Sequence, residues 1–439
     1  MKRLTALGLA AMIAVSLSAC GSGDSAQSGG STANSSASAD ELQAAIWDNN
    51  QLDGLQRIAD EWSETSGVKV NIEVITWTEY WTLLEAGASG GELPDVFWMH
   101  INEAEKYMAG DVLLNLDEYI AADETMDMNN YYDGIVGLYQ YDGSQYAIPK
   151  DHDTIALLYN KEIFDRYGIE YPTDDWDWEK YAEVAAEITE AGKDDGVFGT
   201  AMNTDDGQDG YYNLIYGFGG ELLNEEKTES GMDSEETIEA MTWIGDKLIP
   251  SMPAQDVMTE SNPDNLFLSG TVGMMLQGSW MVNTFYQSEN AEYYAWAQIP
   301  YADQNGNGSC DAGERISLYN GLGWAIAANT ADPQTAYDLV AAFGSEEGQK
   351  KQAEYGVTMA AFKGCSDSFV AAFEGMDLTP FLEVEENGTL IQHPYSRYTT
   401  QWEGAFTTDL VPAWQDPSIM EQTCVDIAEK MNDILASEN

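Results

Sequence analysis

Basic residues are scarce in this chain. Across 439 residues there are 18 Lys and Arg against 76 Asp and Glu, a formal net charge of −58. A field of that sign repels phosphate backbones and anionic headgroups, so neither nucleic acid nor an acidic lipid surface is an expected partner. It suits a protein that handles neutral or cationic small molecules. Histidine is rarer still, and His100, His152 and His393 are too widely spaced to mark a zinc enzyme. No HExxH, Walker or dinucleotide-binding motif is present, and no internal repeat is visible. With this many acids, close carboxylate pairs arise anywhere, so they do not single out a glycoside hydrolase. What the chain does have is 44% hydrophobic residues, enough for a folded protein of two or three domains.

The first residues read as an export signal. Lys2-Arg3 is followed by the apolar run Leu4 to Leu17 and then by Leu17-Ser18-Ala19-Cys20. A short apolar segment ending in small residues is a cleavable signal, too short for a membrane span. The ending matches a bacterial lipobox, so residues 1–19 are expected to be removed and Cys20 to carry acyl chains such as palmitate. More than one acyl chain makes such an anchor stable. Residues 20–40 add a Ser, Gly and Ala-rich flexible tether. The expected location is the extracellular face of the cytoplasmic membrane. Of the four cysteines, Cys310, Cys365 and Cys424 then remain, which allows at most one internal bridge. Cys365 with Cys424 is the preferred pair, and the other pairings stay open.

From residue 41 onward, strand and helix patterns alternate. Leu42 to Trp47 reads as a strand, and Leu55, Ile58, Ala59 and Trp62 recur at helical spacing before Gly67. Val68 to Val74 alternates as a strand, Glu79 to Ala86 is helical, Asp95 to Met99 is a strand and Asn102 to Met108 a helix. This is the pattern of a mainly parallel α/β sheet, whose ligands sit beyond the carboxyl ends of the strands. Those ends carry Trp47-Asp48-Asn49, Ile75-Thr76-Trp77 and His100-Ile101-Asn102.

One stretch has the character of a passage between two lobes, and two later stretches are set beside it. In Tyr146 to Phe164, Ile148-Pro149 must be extended, since proline disfavours a helical residue before it. The polar knot Lys150-Asp151-His152-Asp153 then precedes the apolar strand Ile155 to Tyr159. Unpaired charge is costly inside one core, so these side chains are expected to face a cleft. Phe267 to Thr284 carries the strand Val272 to Leu276 and then Gly278-Ser279-Trp280; Leu318 to Asn329 carries Gly321-Leu322-Gly323-Trp324. In order and spacing these stretches resemble the interlobe crossovers of the family-1 extracellular solute-binding proteins, the sugar-capturing subunits of bacterial ABC importers. The resemblance implies a type II, maltose-binding-protein-like fold of two α/β lobes with three crossovers. It assigns residues 41–151 and 272–328 to the N-terminal lobe, and 152–271 and 329–439 to the C-terminal lobe. It implies a monomer that is not an enzyme, closing on a carbohydrate and docking on a membrane permease.

The residues beside the cleft should then combine aromatic faces, which cover sugar C–H surfaces, with carboxylates and amides for hydroxyls. Trp280 stands where relatives stack a sugar. Trp47, Asp48, Asn49, Trp77 and His100 are candidates from the strand ends, Asp151 and Asp153 from the first crossover, and Tyr211 from its Gly-rich loop. His393 and Arg397 are added from a late loop that dips into the cleft in relatives. A different solute, such as a polyamine, peptide or metal chelate, is the alternative reading, and a secreted glycoside hydrolase a further one.

One departure from the family pattern carries its own chemistry. Asp303, Asn305, Asn307, Ser309, Asp311 and Glu314 occupy the liganding places of an EF-hand loop, with Gly308 at the sharp turn. A structural calcium ion is expected there, in a loop joining two strands of a hairpin.

Overall fold

The computed structural model describes residues 40–438; the signal segment, Cys20 and nearly all of the tether lie outside the described residues. The first part alternates as the pattern requires: β1 (Glu41–Ile46), α1 (Asn49–Ser66), β2 (Lys69–Val74), α2 (Trp77–Gly90), β3 (Val96–Met99) and α3 (Ile101–Ala109). Asp48 starts α1 by accepting the Asn50 N–H at 2.8 Å, and Gly67 ends it at φ 77°, a conformation that costs glycine little. Further on come β4 (Ala147–Pro149), β5 (Ile155–Asn160), β6 (Phe198–Thr200), α4 (Tyr212–Gly217), β7 (Val272–Gly278) and α5 (Val282–Tyr286). The last part contributes β8 (Tyr294–Ala297), β9 (Ile316–Tyr319), β10 (Gly323–Ile326), α6 (Pro333–Gly344), α7 (Glu346–Glu354), β11 (Thr389–Gln392), α8 (Thr399–Gln415) and α9 (Met420–Ala436).

Two sheets divide these strands. The first has the order β2-β1-β3-β10-β4, with β1 parallel to β2 and β3, and β10 antiparallel to its neighbours. The second has the order β8-β5-β7-β6, with β5 as its antiparallel member. Each sheet anchors its own apolar core, one built around Phe97, Trp98 and Trp324, the other around Leu157, Phe267 and Trp402.

The sheets redraw the expected lobe boundaries. Strands β7 and β8 pair with β5, so residues 272–297 lie in the second lobe, and no crossing occurs at Gly278-Ser279-Trp280. Only β10, from the segment assigned to the first lobe, joins the first sheet. Helix α6, assigned to the second lobe, packs Tyr337, Val340 and Phe343 into the first core. The chain passes between lobes at 149–155, at 319–323 and in the stretch beyond α7. The late crossing escaped notice because a helix pattern does not say which sheet the helix covers.

The polar knot at the first crossover is buried, contrary to the cleft-facing expectation. Lys150, Asp151 and His152 are 0%, 5% and 2% exposed. Each has a partner: Lys150 Nζ donates to Gln51 Oε1 at 2.8 Å and to Asp151 Oδ2 at 2.5 Å, while Asp151 Oδ1 accepts the Leu322 N–H at 2.6 Å. Paired charge tolerates burial, and here it ties two crossovers together.

His152 bonds through Nε2 to Glu385, and its Nδ1 lies 2.7 Å from the Ala360 carbonyl. Burial pulls the pKa of this imidazole down, but the Glu385 carboxylate outweighs it, so the net shift is upward from 6.5. A raised folded-state pKa contributes stability that is complete below the unfolded value and is lost as pH rises through the folded one. The stability difference between wild type and Glu385→Gln should therefore be largest near pH 6 and shrink towards pH 9. Urea unfolding across that range measures it; a difference independent of pH would refute the pairing.

Cys310, Cys365 and Cys424 are all free thiols, so the preferred Cys365–Cys424 bridge does not form. Cys424 is packed in the second core as a small apolar group.

Candidate ligand-binding cleft

The carboxyl ends of β1, β2 and β3 deliver an aromatic wall. Trp47 and Trp77 meet edge to face at 5.0 Å, and Trp77 lies 5.4 Å from the His100 ring. Trp81 joins them from α2, 5.3 Å from Trp77 and 5.9 Å from Trp47. Its place one turn after Trp77 was the signal that could have revealed it, since residues four apart share a helix face. Trp77 remains 44% exposed, the largest fraction among the exposed large hydrophobic residues described.

His100 starts α3, its Nδ1 accepting the Asn102 N–H at 3.2 Å. The proton of the neutral ring therefore sits on Nε2, and the Asn320 side-chain amide, 2.9 Å away, accepts it with its oxygen turned to the ring. Burial, with the neighbouring His393, lowers the His100 pKa to about 3; burial lowers that of His393 to about 4. Both rings are neutral at pH 7, their centroids 6.3 Å apart.

The opposite wall comes from the second lobe. Glu403 on α8 accepts the Asn102 Nδ2–H at 2.7 Å and the Tyr212 hydroxyl at 3.4 Å, and lies 3.6 Å from His393 Nε2. Asp153 Oδ1 accepts from Gln208 Nε2 at 2.6 Å and the Asn320 N–H at 2.9 Å. Burial, then the Asp151 charge, raises its pKa to about 7. Asn50 joins the lobes at another point, donating to Thr284 Oγ1 at 2.8 Å and accepting from Asn283 through its carbonyl at 3.0 Å.

Of the residues expected here, Trp47, Trp77, His100 and His393 converge, and Asp153 hydrogen-bonds to Asn320, the partner of His100. Asn49 is exposed at the first turn of α1, and both Asp48 oxygens are engaged by Asn50 and Gln51. Trp280 is half-buried against the second core, its ring folded over Gly278, where an added Cβ would lie 1.9 Å from it. Three expectations fail. Asp151 is consumed in the hinge. Tyr211 is 1% exposed and packs 5.5 Å from Trp414 in the second core; Tyr212 is as deeply buried in that core, and its hydroxyl reaches Glu403. Arg397 binds the Tyr141 hydroxyl at 3.1 Å and the Glu438 carbonyl at 3.4 Å, which makes it a strut. Glu403, Tyr212, Gln208 and Asn320 were missed, and nothing in their local spacing marks them. A surface groove of about 640 Å³, lined by Tyr131, Lys350, Glu354 and Phe362 among others, involves none of these residues.

The loop 303–314 is curled around its own acids. Asp303 accepts the Asn307 and Gly308 N–H groups at 3.0 and 2.8 Å, and Glu314 accepts the Asp311 N–H at 2.8 Å. The Asn305 and Asn307 amides donate to Asp311 at 2.9 and 2.8 Å. Ser309 places its backbone N–H on Asn307 Oδ1 at 2.8 Å. Among the described residues no three His, Cys, Asp or Glu side chains form a group that could hold a metal ion. The flanking strands do not form the expected hairpin: β8 pairs with β5, and β9 with β11.

A family model described as bacterial extracellular solute-binding protein matches residues 48–350. The chain belongs to this family. A binding protein of Brucella abortus is 24% identical over 264 residues, covering 58% of this chain and 62% of the length of that relative. The galactooligosaccharide-binding protein of Bacillus subtilis is 22% identical over 365 residues, 80% of this chain and 79% of its own. Among solved structures, the ABC substrate-binding protein of Listeria monocytogenes in complex with cycloalternan superposes with a TM-score of 0.79 at 21% identity, covering 90% of this chain and 99% of that one. The GacH receptor of Streptomyces glaucescens, solved unliganded and with acarbose, gives 0.75 at 19% identity, with 91% and 99% covered. The family member described here thus has the two-lobe periplasmic-binding fold.

Proposed function

We propose that this solute-binding protein captures a carbohydrate, most simply an oligosaccharide, between its lobes and delivers it to the permease of an ABC importer. The observation that carries the reading is the exposed indole of Trp77, set in an aromatic wall opposite hydroxyl-accepting carboxylates on a second lobe. An aromatic face with convergent polar groups is the composition a sugar needs. Relatives named for maltotriose and galactooligosaccharide support it. The protein acts as a monomer, closing as the lobes hinge at their crossings. The test is a thermal-shift screen of the full chain against mono- and oligosaccharides, polyamines and peptides. At 100 times its dissociation constant a ligand stabilises the fold by about 2.7 kcal/mol. Shifts with polyamines or peptides but no sugar would overturn the carbohydrate reading, and cleavage of an oligosaccharide would overturn binding without turnover.

Two further parts belong to this reading. Cys20 carries the lipid that holds the protein at the membrane; palmitate labelling of wild type but not of Cys20→Ala in the native host tests it. The loop 303–314 takes a structural calcium ion through Asp303, Asn305, Asn307, the Ser309 carbonyl, Asp311 and Glu314. The support is the full liganding pattern in the sequence. Calcium should raise the melting temperature of wild type and leave Glu314→Gln unchanged. An equal response of both proteins would remove the loop from consideration.

A further inference from the structure

Asn50 stands just beyond Trp47 and belongs to the first lobe, since Leu52 and Leu55 of its helix α1 pack into the first core. Asn283 and Thr284 stand just beyond Trp280 and belong to the second lobe, where Val282 and Phe285 of the same helix α5 enter the other core. Neither segment is part of a chain crossing. Two hydrogen bonds join them nonetheless: Asn50 Nδ2 donates to Thr284 Oγ1 at 2.8 Å, and Asn283 Nδ2 donates to the Asn50 carbonyl at 3.0 Å. All three residues are half-buried.

Each half of this contact is fixed on its own lobe. Gln287, one turn further on, donates to Asn283 Oδ1 at 2.7 Å and so leaves the Asn283 amide nitrogen turned towards Asn50. On the other side the Asn50 N–H rests on Asp48 Oδ1 at 2.8 Å, and Asp48 Oδ2 accepts Gln51 Nε2 at 3.0 Å. Gln51 Oε1 in turn accepts the Lys150 ammonium at 2.8 Å. An unbroken run of hydrogen bonds therefore leads from the contact to the buried lysine of the hinge. Partners held in place beforehand lose little freedom when they meet.

The two bonds exist only while the lobes are together. A rotation about the crossings parts α1 from α5 and returns both donors to water. Bonds made only in the closed form favour that form, and the affinity for a solute held by it rises with its population. No contact with the solute is needed for this effect. The bonds from α3 to α8, Asn102 to Glu403 and Thr400 to Glu103, also cross between lobes, but Glu403 belongs to the cleft wall itself.

We infer that Asn50, Asn283 and Thr284 are positioning residues, a clasp that holds the lobes together and sets how long a captured solute stays bound. This rests on the reading that a solute is taken between the lobes; it is independent of which solute that is.

Small-angle X-ray scattering and binding kinetics of the full chain test the clasp. Thr284→Val keeps the side-chain shape and removes the acceptor, Thr284→Ser restores it, and Asn50→Ala removes the donor. In sugar-free buffer Thr284→Val and Asn50→Ala should have a larger radius of gyration than wild type, and Thr284→Ser should not. Maltotriose, galactotriose and spermidine serve as the binding probes. For any of them that binds wild type, Thr284→Val should weaken binding about tenfold, chiefly through faster dissociation, with recovery in Thr284→Ser and an almost unchanged melting temperature. Both single changes remove the same bond, so the double variant should bind no worse than either one. Equal radii in all proteins, unchanged affinity in Thr284→Val, or losses that add in the double variant each overturn the clasp. Binding of spermidine alone, or of none of the three, counts against the carbohydrate reading, and the scattering result then decides the clasp by itself.

Discussion

Replacing Trp77 with alanine is expected to weaken ligand binding by about 30-fold while leaving the melting temperature almost unchanged. The two effects separate because Trp77 is 44% exposed and stands on the first turn of α2, so little of the fold depends on it. A central aromatic that a ligand desolvates contributes about 2 kcal/mol or more, which is the stated factor. Calorimetric titration with a ligand from the screen, paired with a melting curve, measures both quantities. Trp77→Phe should recover part of the affinity, since a smaller ring still offers a face. Unchanged affinity in Trp77→Ala would move the ligand away from the aromatic wall.

Lys150→Met should produce the largest loss of stability of any single change at the hinge, about 3–5 kcal/mol. Lys150 is 0% exposed and its ammonium lies 4.4 Å from the centre of the Trp98 ring. Its removal leaves the Asp151 carboxylate buried with only the Leu322 N–H, and an uncompensated buried charge costs that much. The partner test is the double change Lys150→Met with Asp151→Asn, which removes the stranded charge and should regain a large share of the loss. Denaturant unfolding of the three variants against wild type decides it. If the double variant were no more stable than the single one, packing against Trp98, and not charge, would be what Lys150 provides.

The same hinge shows where local reading reached its limit. Lys150, Asp151 and His152 look like cleft residues because a run of charge beside two apolar strands has no place in one core. In the fold, Gln51, Leu322 and Glu385 arrive from three distant parts of the chain to pair with them. Charge that finds partners can be buried, and the partners are invisible in a linear window. Tyr211 and Tyr212 make the point on a smaller scale. They are adjacent in one Gly-rich stretch and both rings are buried in the second core, yet one packs on Trp414 while the hydroxyl of the other reaches Glu403. A helical register settles which does which, and Gly207 and Gly210 blur that register in sequence.

What the sequence determined by itself was the alternation of strand and helix through the first lobe, and with it Trp47, Trp77 and His100 at the strand ends. Period-2 and period-3.6 patterns state which face of each element is apolar, and a parallel sheet places its carboxyl ends at one edge. The order of the crossover-like stretches was enough to indicate the family. Tertiary structure alone decided that 272–297 belongs to the second sheet, that Arg397 is a strut, and that Glu403 faces Asn102 at a sequence separation of 301. Periodicity records burial one element at a time. Which polar side chains meet in a cleft depends on how two lobes close, and that is set by contacts far apart in the chain.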